Sequence, residues 1–220
     1  MYEPRTGYAL AAPAYENWHW FQFWRQNEVD IVRRWAEALA PGKILDAGSG
    51  TGLYRPVLEN LGYRVIGADL SAEMLMIQVR ANPAAPVVQA RIEALPFQGS
   101  SFDYLLCTRV LSHIQPLTPV FREFARVTKP EAVLQITDVH PEHRYSEMSI
   151  PVNAERVSIQ TYKHSISEMK KTLEASGFEL LKFREFRLGD LEWKPPIENF
   201  ENIYDEVDRP IFYTCSLRRP

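Results

Sequence analysis

Within "ILDAGSGTGLY" an apolar run ends in Asp46, and three glycines, Gly48, Gly50 and Gly52, then alternate with small residues. Glycines between a strand and a helix let the backbone approach a ligand closely and present helix N-terminal amides to it. In the dinucleotide fingerprint G-x-G-x-x-G the third glycine would fall at Leu53, so the spacing does not match that ligand class. A carboxylate at Asp46 would oppose a pyrophosphate and suits a cationic amine. Asp69 ends the next apolar run, about 20 residues on, where an acid accepts hydrogen bonds from ribose hydroxyls. The loop therefore points to a ligand with a ribose and a positive charge but no phosphates.

Further polar groups follow the later apolar runs: His113 in "SHI", Asp138 and His140 in "TDVHPEHRY", then Tyr162 and His164. In an open parallel sheet, ligands bind beyond the C-terminal strand ends, which places these groups beside the reacting atoms. Histidine suits a base near neutral pH, so His140 is the first candidate, with His113 and His164 behind it. Asp138 lies two residues earlier and, by the period of a strand, would face the same side and orient the ring. "HPEH" joins its histidines through Pro141 outside a helix, a poor preformed ligand pair, and no metal site is expected.

The elements that must position these residues alternate. "KILDAG", "RVIGADL", "PVVQARI", "FDYLLCTRV" and "AVLQITDV" have the β-branched, apolar character of strands. Between them come Arg55 to Leu61, "SAEMLMIQVRA" with Ser71 as its N-cap, and Leu117 to Val127, all helical in pattern. Such alternation predicts a parallel sheet with helices on both faces. Tyr15 to Leu39 reads as one long helix, apolar at Trp18, Phe21, Ile31, Val32, Trp35 and Leu39, with Trp20, Phe23 and Trp24 off that stripe and covering core or ligand. Glu142 to Thr161 reads as irregular, Ser165 to Ser176 as a helix, and "FELLKFREFRL" and "IFYTCSL" as two further strands. Between those two strands lies a long acidic loop with Trp193 and Tyr204, which could gate an apolar or amine substrate.

A ribose plus a cation without phosphates describes S-adenosylmethionine. "ILDAGSGTG", "VIGADLSAEML", "IEALPFQGSSFDYLLCTRVLSHI" and "FREFARVTKPEAVLQITD" resemble successive motifs of the class I S-adenosylmethionine-dependent methyltransferases of the small-molecule type, and "YALAAPAYE" resembles their N-terminal lid signature. The resemblance implies a Rossmann-like, doubly wound, mostly parallel sheet with helices on both faces, an antiparallel C-terminal strand and an N-terminal aromatic helix as lid. It implies that Asp46 and the Gly48, Ser49 and Gly50 backbone hold the methionine moiety and Asp69 the ribose. Leu70, Ile92 and Glu93 should then lie by the adenine. The expected acceptor-side residues are Tyr15, Trp18, Tyr162, His164 and Trp193. Two departures stand out. Arg91 replaces the usual acid before Ile92, which removes a hydrogen bond worth roughly 0.5–1.5 kcal/mol or stacks a guanidinium on the ring. "KPEA" replaces the usual Lys-Pro-Gly-Gly, and because Glu131 would be strained at positive φ, a type I turn is expected there.

The chain has 220 residues and a net charge of −3. That length suits one domain, divided as lid and helix (1–40), cofactor core (41–140) and substrate-side elements (141–220). No broad basic surface is available for nucleic acid, and no run of about 18 apolar residues suggests a membrane span. The N-terminus lacks the pattern of a secretory leader, and the two cysteines, Cys107 and Cys215, sit in strand-like runs that suit buried thiols, so a cytoplasmic protein is expected. The resulting expectation is methyl transfer from S-adenosylmethionine, leaving S-adenosylhomocysteine, to O, N or C of a small molecule. A peptide or protein acceptor, or a cofactor-binding protein without transfer, are the alternatives.

Overall fold

The computed structural model describes residues 1–143, 148–191 and 208–219. The chain runs α1 (Pro4–Ala11), a 3-10 turn (Ala12–Asn17), α2 (His19–Asn27), α3 (Val29–Glu37), β1 (Lys43–Ala47), α4 (Arg55–Asn60), β2 (Arg64–Asp69), α5 (Ala72–Ala81), β3 (Val87–Gln89) and β4 (Phe102–Thr108). It continues with α6 (Thr118–Val127), β5 (Thr128–Val139), β6 (Met148–Val152), β7 (Glu155–Ile159), α7 (Ile166–Ala175), β8 (Glu179–Arg187) and β9 (Pro210–Arg218). A seven-stranded sheet has the order β3-β2-β1-β4-β5-β9-β8. The first five strands pair in parallel, and β9 lies antiparallel between β5 and β8. This is the expected doubly wound sheet with an antiparallel C-terminal strand. Strand order reverses between β1 and β4, which opens a crevice above their C-terminal ends.

Successive strand residues supply both faces, which is why Ile44-Leu45 and "YLLC" are continuous apolar runs. Ile44, Val65 and Leu106 pack with Val32 and Ala36 of α3 and Leu58 of α4. Leu45, Leu105 and Leu134 pack with Phe121 and Phe124 of α6 and Met169 and Leu173 of α7. Each such fully buried large side chain contributes about 1.5–3 kcal/mol. Among the described residues no helix is long and apolar enough to cross a membrane.

Three local expectations are corrected. The N-terminal aromatic segment is not one helix: Trp18 is extended (φ −70°, ψ 132°) between the 3-10 turn and α2, and a second irregularity falls at Glu28. The two apolar faces go to different places, Tyr15, Trp18 and Phe21 to one cluster and Phe23 and Trp24 to another with Phe186 and Phe212. A straight helix could not serve both. The segment 142–161 is not wholly irregular, because Met148 to Ile159 forms a hairpin whose Ile150, Val157 and Ile159 are buried. Pro151 hides it, since proline is tolerated only in edge strands. Glu131 does take a positive φ (63°) and its amide donates to Arg219 O at 2.8 Å. Pairing between Phe102/Thr128 and Tyr104/Val133 shifts there, so an irregularity in β5 replaces the type I turn and places a non-glycine residue where the left-handed conformation costs about 1–2 kcal/mol.

Candidate active site

The loop after β1 is bent so that the Gly48 and Ser49 amides both donate to Ala68 O of β2, at 2.7 and 3.0 Å. Gly48 is required twice over: its φ is +82°, and a Cβ there would sit 2.1 Å from Val110 Cγ2. At Gly50 the φ of +51° makes the demand, the nearest protein atom to a Cβ being Met74 Cε at 3.6 Å. Asp69 braces this loop, its Oδ2 accepting from the Gly50 amide (2.8 Å) and its Oδ1 from the Ser71 amide (2.9 Å). Each carboxylate oxygen can accept a second bond, so both remain able to take a hydroxyl. Burial raises the Asp69 pKa and the amides of Ser71, Gly50 and Leu70 work against it.

Asp46, at the end of β1, is 1% exposed and neither carboxylate oxygen has a hydrogen-bond partner. Burial pushes its pKa up to about 7, with Arg55 opposing and Asp69 reinforcing. A buried, unpartnered carboxylate is costly unless a ligand meets it, and the group that does so is a cation. The donor set therefore fits a ribose-bearing cation. Affinity for such a ligand is expected to fall as pH drops through 7, roughly fivefold from pH 7 to 6, because protonation removes the charge. Asp46→Asn should flatten that profile in calorimetric titrations. The same raised pKa means that this group favours the empty folded state below about pH 4 and loses that contribution as pH rises through 7, so Asp46→Asn should also melt higher than wild type at pH 8. A wild-type affinity independent of pH from 5.5 to 8 would contradict this.

A cavity of about 550 Å³ lies above the strand ends. Of the residues expected around a cofactor, Gly48, Ser49, Gly50, Asp69, Leu70, Ile92 and Glu93 line it, and Asp46 lies buried at the start of the same loop. Arg91 also lines it and is held at 2.7 Å by Glu93. Tyr15 and Tyr162 line it from the acceptor-side set, and His113 from the candidate bases.

Above the cavity sits α1. It docks on the hairpin, where Tyr2 N donates to Ser158 O (2.8 Å) and Gln160 N to Tyr2 O (2.9 Å), and a Cβ on Gly7 would lie 2.6 Å from Ile159 Cγ1. This places Glu3, Pro4, Arg5 and Tyr8 on the wall. The Tyr8 hydroxyl is 2.8 Å from His113 Nε2, and His113 Nδ1 is 2.8 Å from Gln160 O. A carbonyl oxygen only accepts, so Nδ1 carries the proton and Nε2 accepts from Tyr8. Burial lowers the His113 pKa, opposed by the Gln160 bond and by Asp138, while burial raises that of Tyr8. A neutral imidazole and a neutral phenol thus share one hydrogen bond at the cavity wall.

The remaining candidates are not brought to the cavity. Asp138 is buried and accepts from the Ser112 amide and hydroxyl, both at 2.9 Å, and from the Val139 amide at 2.7 Å, so it anchors the turn that carries His113. His140 lies past the end of β5, where its Nε2 is 3.2 Å from Glu185 Oε1 of β8 and its Nδ1 accepts from the Glu142 amide. Asp138 and His140 do share a face, since Asp138 lies opposite Tyr213 in the β5–β9 register and the His140 ring packs edge-on against Tyr213 at 6.5 Å, but each side chain hydrogen-bonds its own partners and neither lines the cavity. His164 Nε2 donates to Ile114 O at 2.7 Å, and Trp18 packs with Tyr15 in the aromatic cluster. Trp193 and most of the acidic loop lie outside the described residues.

Tyr8, Arg109 and Glu28 were not singled out from sequence as site residues. Glu28 is 0% exposed and accepts from Arg109, Tyr54 and Thr137, which come from the ends of β4, the glycine loop and β5. Only the placement of an acid in an otherwise aromatic segment could have drawn attention to it.

The methyltransferase domain family matches residues 45–136, a span that includes the glycine loop, Asp69 and His113 and stops short of His140. The uncharacterized methyltransferase YodH of Bacillus subtilis is 32% identical over 177 residues, covering 77% of this chain and 72% of that protein. Two solved structures share the fold. One is a chain in the complex between the Trm112 methyltransferase activator and a methyltransferase of Haloferax volcanii (TM-score 0.73, 16% identity, 100% of this chain and 99% of that one). The other is an S-adenosylmethionine-dependent methyltransferase of Mesorhizobium loti (TM-score 0.66, 20% identity, 86% and 96%).

Proposed function

The chain belongs to the S-adenosylmethionine-dependent methyltransferases, and from that premise we propose that it methylates a small molecule held under α1, with the Tyr8–His113 pair receiving the acceptor's proton. The observation that carries this reading is the hydrogen-bonded pair itself, Tyr8 Oη to His113 Nε2 at 2.8 Å on the cavity wall. Asp46 and the backbone of Gly48, Ser49 and Gly50 hold the cofactor's aminoacyl end, Asp69 its ribose, and Leu70, Ile92 and Glu93 flank its adenine. The bound cofactor supplies an electrophilic methyl group on a sulfonium. In-line displacement then needs chiefly alignment, and a base when the nucleophile carries a proton. The acceptor gives that proton to the Tyr8 oxygen as Tyr8 passes its own to His113 Nε2. Asp138 orders the turn beneath. The roof formed by α1 favours a small acceptor over a polypeptide and keeps water from the site.

Asp69→Ala is expected to weaken S-adenosylhomocysteine binding by about 1.5–3 kcal/mol, through lost charge-assisted bonds and a loosened Gly50. Unchanged calorimetric affinity would remove the cavity as the cofactor site. For the acceptor, methyl-labelled cofactor incubated with cell extract should label the low-molecular-weight fraction. Label confined to protein would replace the small molecule by a polypeptide.

A further inference from the structure

We propose that Arg109 is the cavity's carboxylate receptor, binding a carboxylate carried by the bound cofactor or by the methyl acceptor. The proposal rests on the reading of this cavity as the cofactor site. Arg109 stands just past the C-terminal end of β4 and is 9% exposed, yet it belongs to the cavity wall together with Tyr8, Tyr15 and Thr108. Its guanidinium lies over the rings of Trp24 (5.2 Å) and Tyr54 (5.8 Å), which fix its plane. Its Nη1 donates to Glu28 and to Tyr54 Oη at 2.7 Å, and a further side-chain hydrogen bond reaches the Tyr15 hydroxyl on the same wall. Nε is buried and has no partner. A planar fork with one edge committed to Glu28 and a donor unused beyond it matches a carboxylate, which a guanidinium receives in a fixed geometry.

The surroundings point the same way. Asp69 lines the cavity, Asp46 is buried at the start of the glycine loop and Asp138 lies behind, while burial lowers the pKa of His113 on the wall and so keeps that ring neutral. The other arginines on the wall, Arg5 and Arg91, are exposed, and Arg91 is paired with Glu93. A ligand's anionic group therefore has one buried cation to meet. Arg109 also holds φ +55°, and a long side chain kept in the left-handed region at a strand end is a strain that sites retain where placement is used. Burial raises the pKa of Tyr54, with Asp46 adding to it, and Tyr54 itself accepts from Arg109, so the position for a cation and the position for an anion are joined through one tyrosine.

The test uses calorimetry on three proteins, wild type, Arg109→Gln and Glu28→Gln/Arg109→Gln, the last keeping the buried pair neutral should the single variant fail to fold. The probes are S-adenosylhomocysteine, its decarboxylated thioether with the amine retained, and benzoate added to protein saturated with S-adenosylhomocysteine. If the cofactor supplies the carboxylate, wild type prefers S-adenosylhomocysteine to the thioether by about 10- to 100-fold and the folded variants prefer it by less than about threefold. If the acceptor supplies it, the first two probes bind wild type alike, benzoate binds the loaded wild type, and the variants lose benzoate alone. Wild type indifferent to the carboxylate in both comparisons overturns the proposal, as does a preference that survives in the variants. Should S-adenosylhomocysteine itself not bind wild type, the cofactor reading falls and the role of Arg109 falls with it.

Discussion

Glu28→Ala is expected to cost about 3–5 kcal/mol of folding stability, the size found when one partner of a buried ion pair is removed. Glu28 is fully buried, and its two oxygens receive Arg109, Tyr54 and Thr137. Alanine would leave a guanidinium in the interior with no counter-charge and two hydroxyls with no acceptor. It would also unpin the α2–α3 junction from the ends of β4 and β5, since the side-chain bonds from Glu28 reach across 81 and 109 residues of sequence. Glu28→Gln, which keeps an acceptor but loses the charge, should cost less. The exposed pairs that Asp30 makes with Arg33 and Arg34 on α3 provide the contrast, and removing Arg34, 74% exposed, should change stability by no more than about 0.5 kcal/mol. Denaturant unfolding of the three variants at one pH measures all of this. A loss below about 1 kcal/mol for Glu28→Ala would mean that water or a rearranged Arg109 replaces the carboxylate.

The second large effect is kinetic. His113→Ala should lower the maximal rate by about 10² to 10⁴, as removal of a general base does, with little change in cofactor affinity. Tyr8→Phe breaks the same chain one step earlier and should follow in direction. His140→Ala, whose ring is engaged by Glu185 away from the cavity, should stay within about threefold of wild type. Because burial lowers the His113 pKa below its ordinary value of 6.5, the rate should fall on the acid side below neutrality. The same shift acts on stability: the unfolded chain takes up this proton at higher pH than the folded one, so stability declines as pH falls through about 6.5. Steady-state constants from pH 5.5 to 9 for the three variants decide the assignment. If His113→Ala keeps the wild-type maximal rate while requiring more acceptor, the nucleophile arrives without a proton to lose and His113 only aligns it.

What the sequence determined by itself is what local chemistry and short periods can encode. The alternating elements, the glycine spacing, an acid before the glycines and a second acid at the next strand end are each written within a few residues, and the structure brings Gly48, Gly50 and Asp69 to the cavity wall with Asp46 buried just behind it. The helix boundaries at Ser71 and Ser165 were legible for the same reason, since each serine caps its own helix by accepting from an amide three residues on. The tertiary structure alone decided the rest. Tyr8 meets His113 across 105 residues and Glu28 meets Arg109 across 81, and no spacing in the chain announces either pair. The aromatic segment bends at Trp18 and Glu28 because its two faces must reach two different clusters, a demand set by the hairpin on one side and Phe186 and Phe212 on the other. Glu131 accepts a left-handed backbone because β5 must stay in register with β4 and β9. His140 carried the right chemistry and the period of two did put it on the face of Asp138, against Tyr213, but whether that face meets the cavity depended on β9 and on Glu185 of β8, which only the tertiary structure sets.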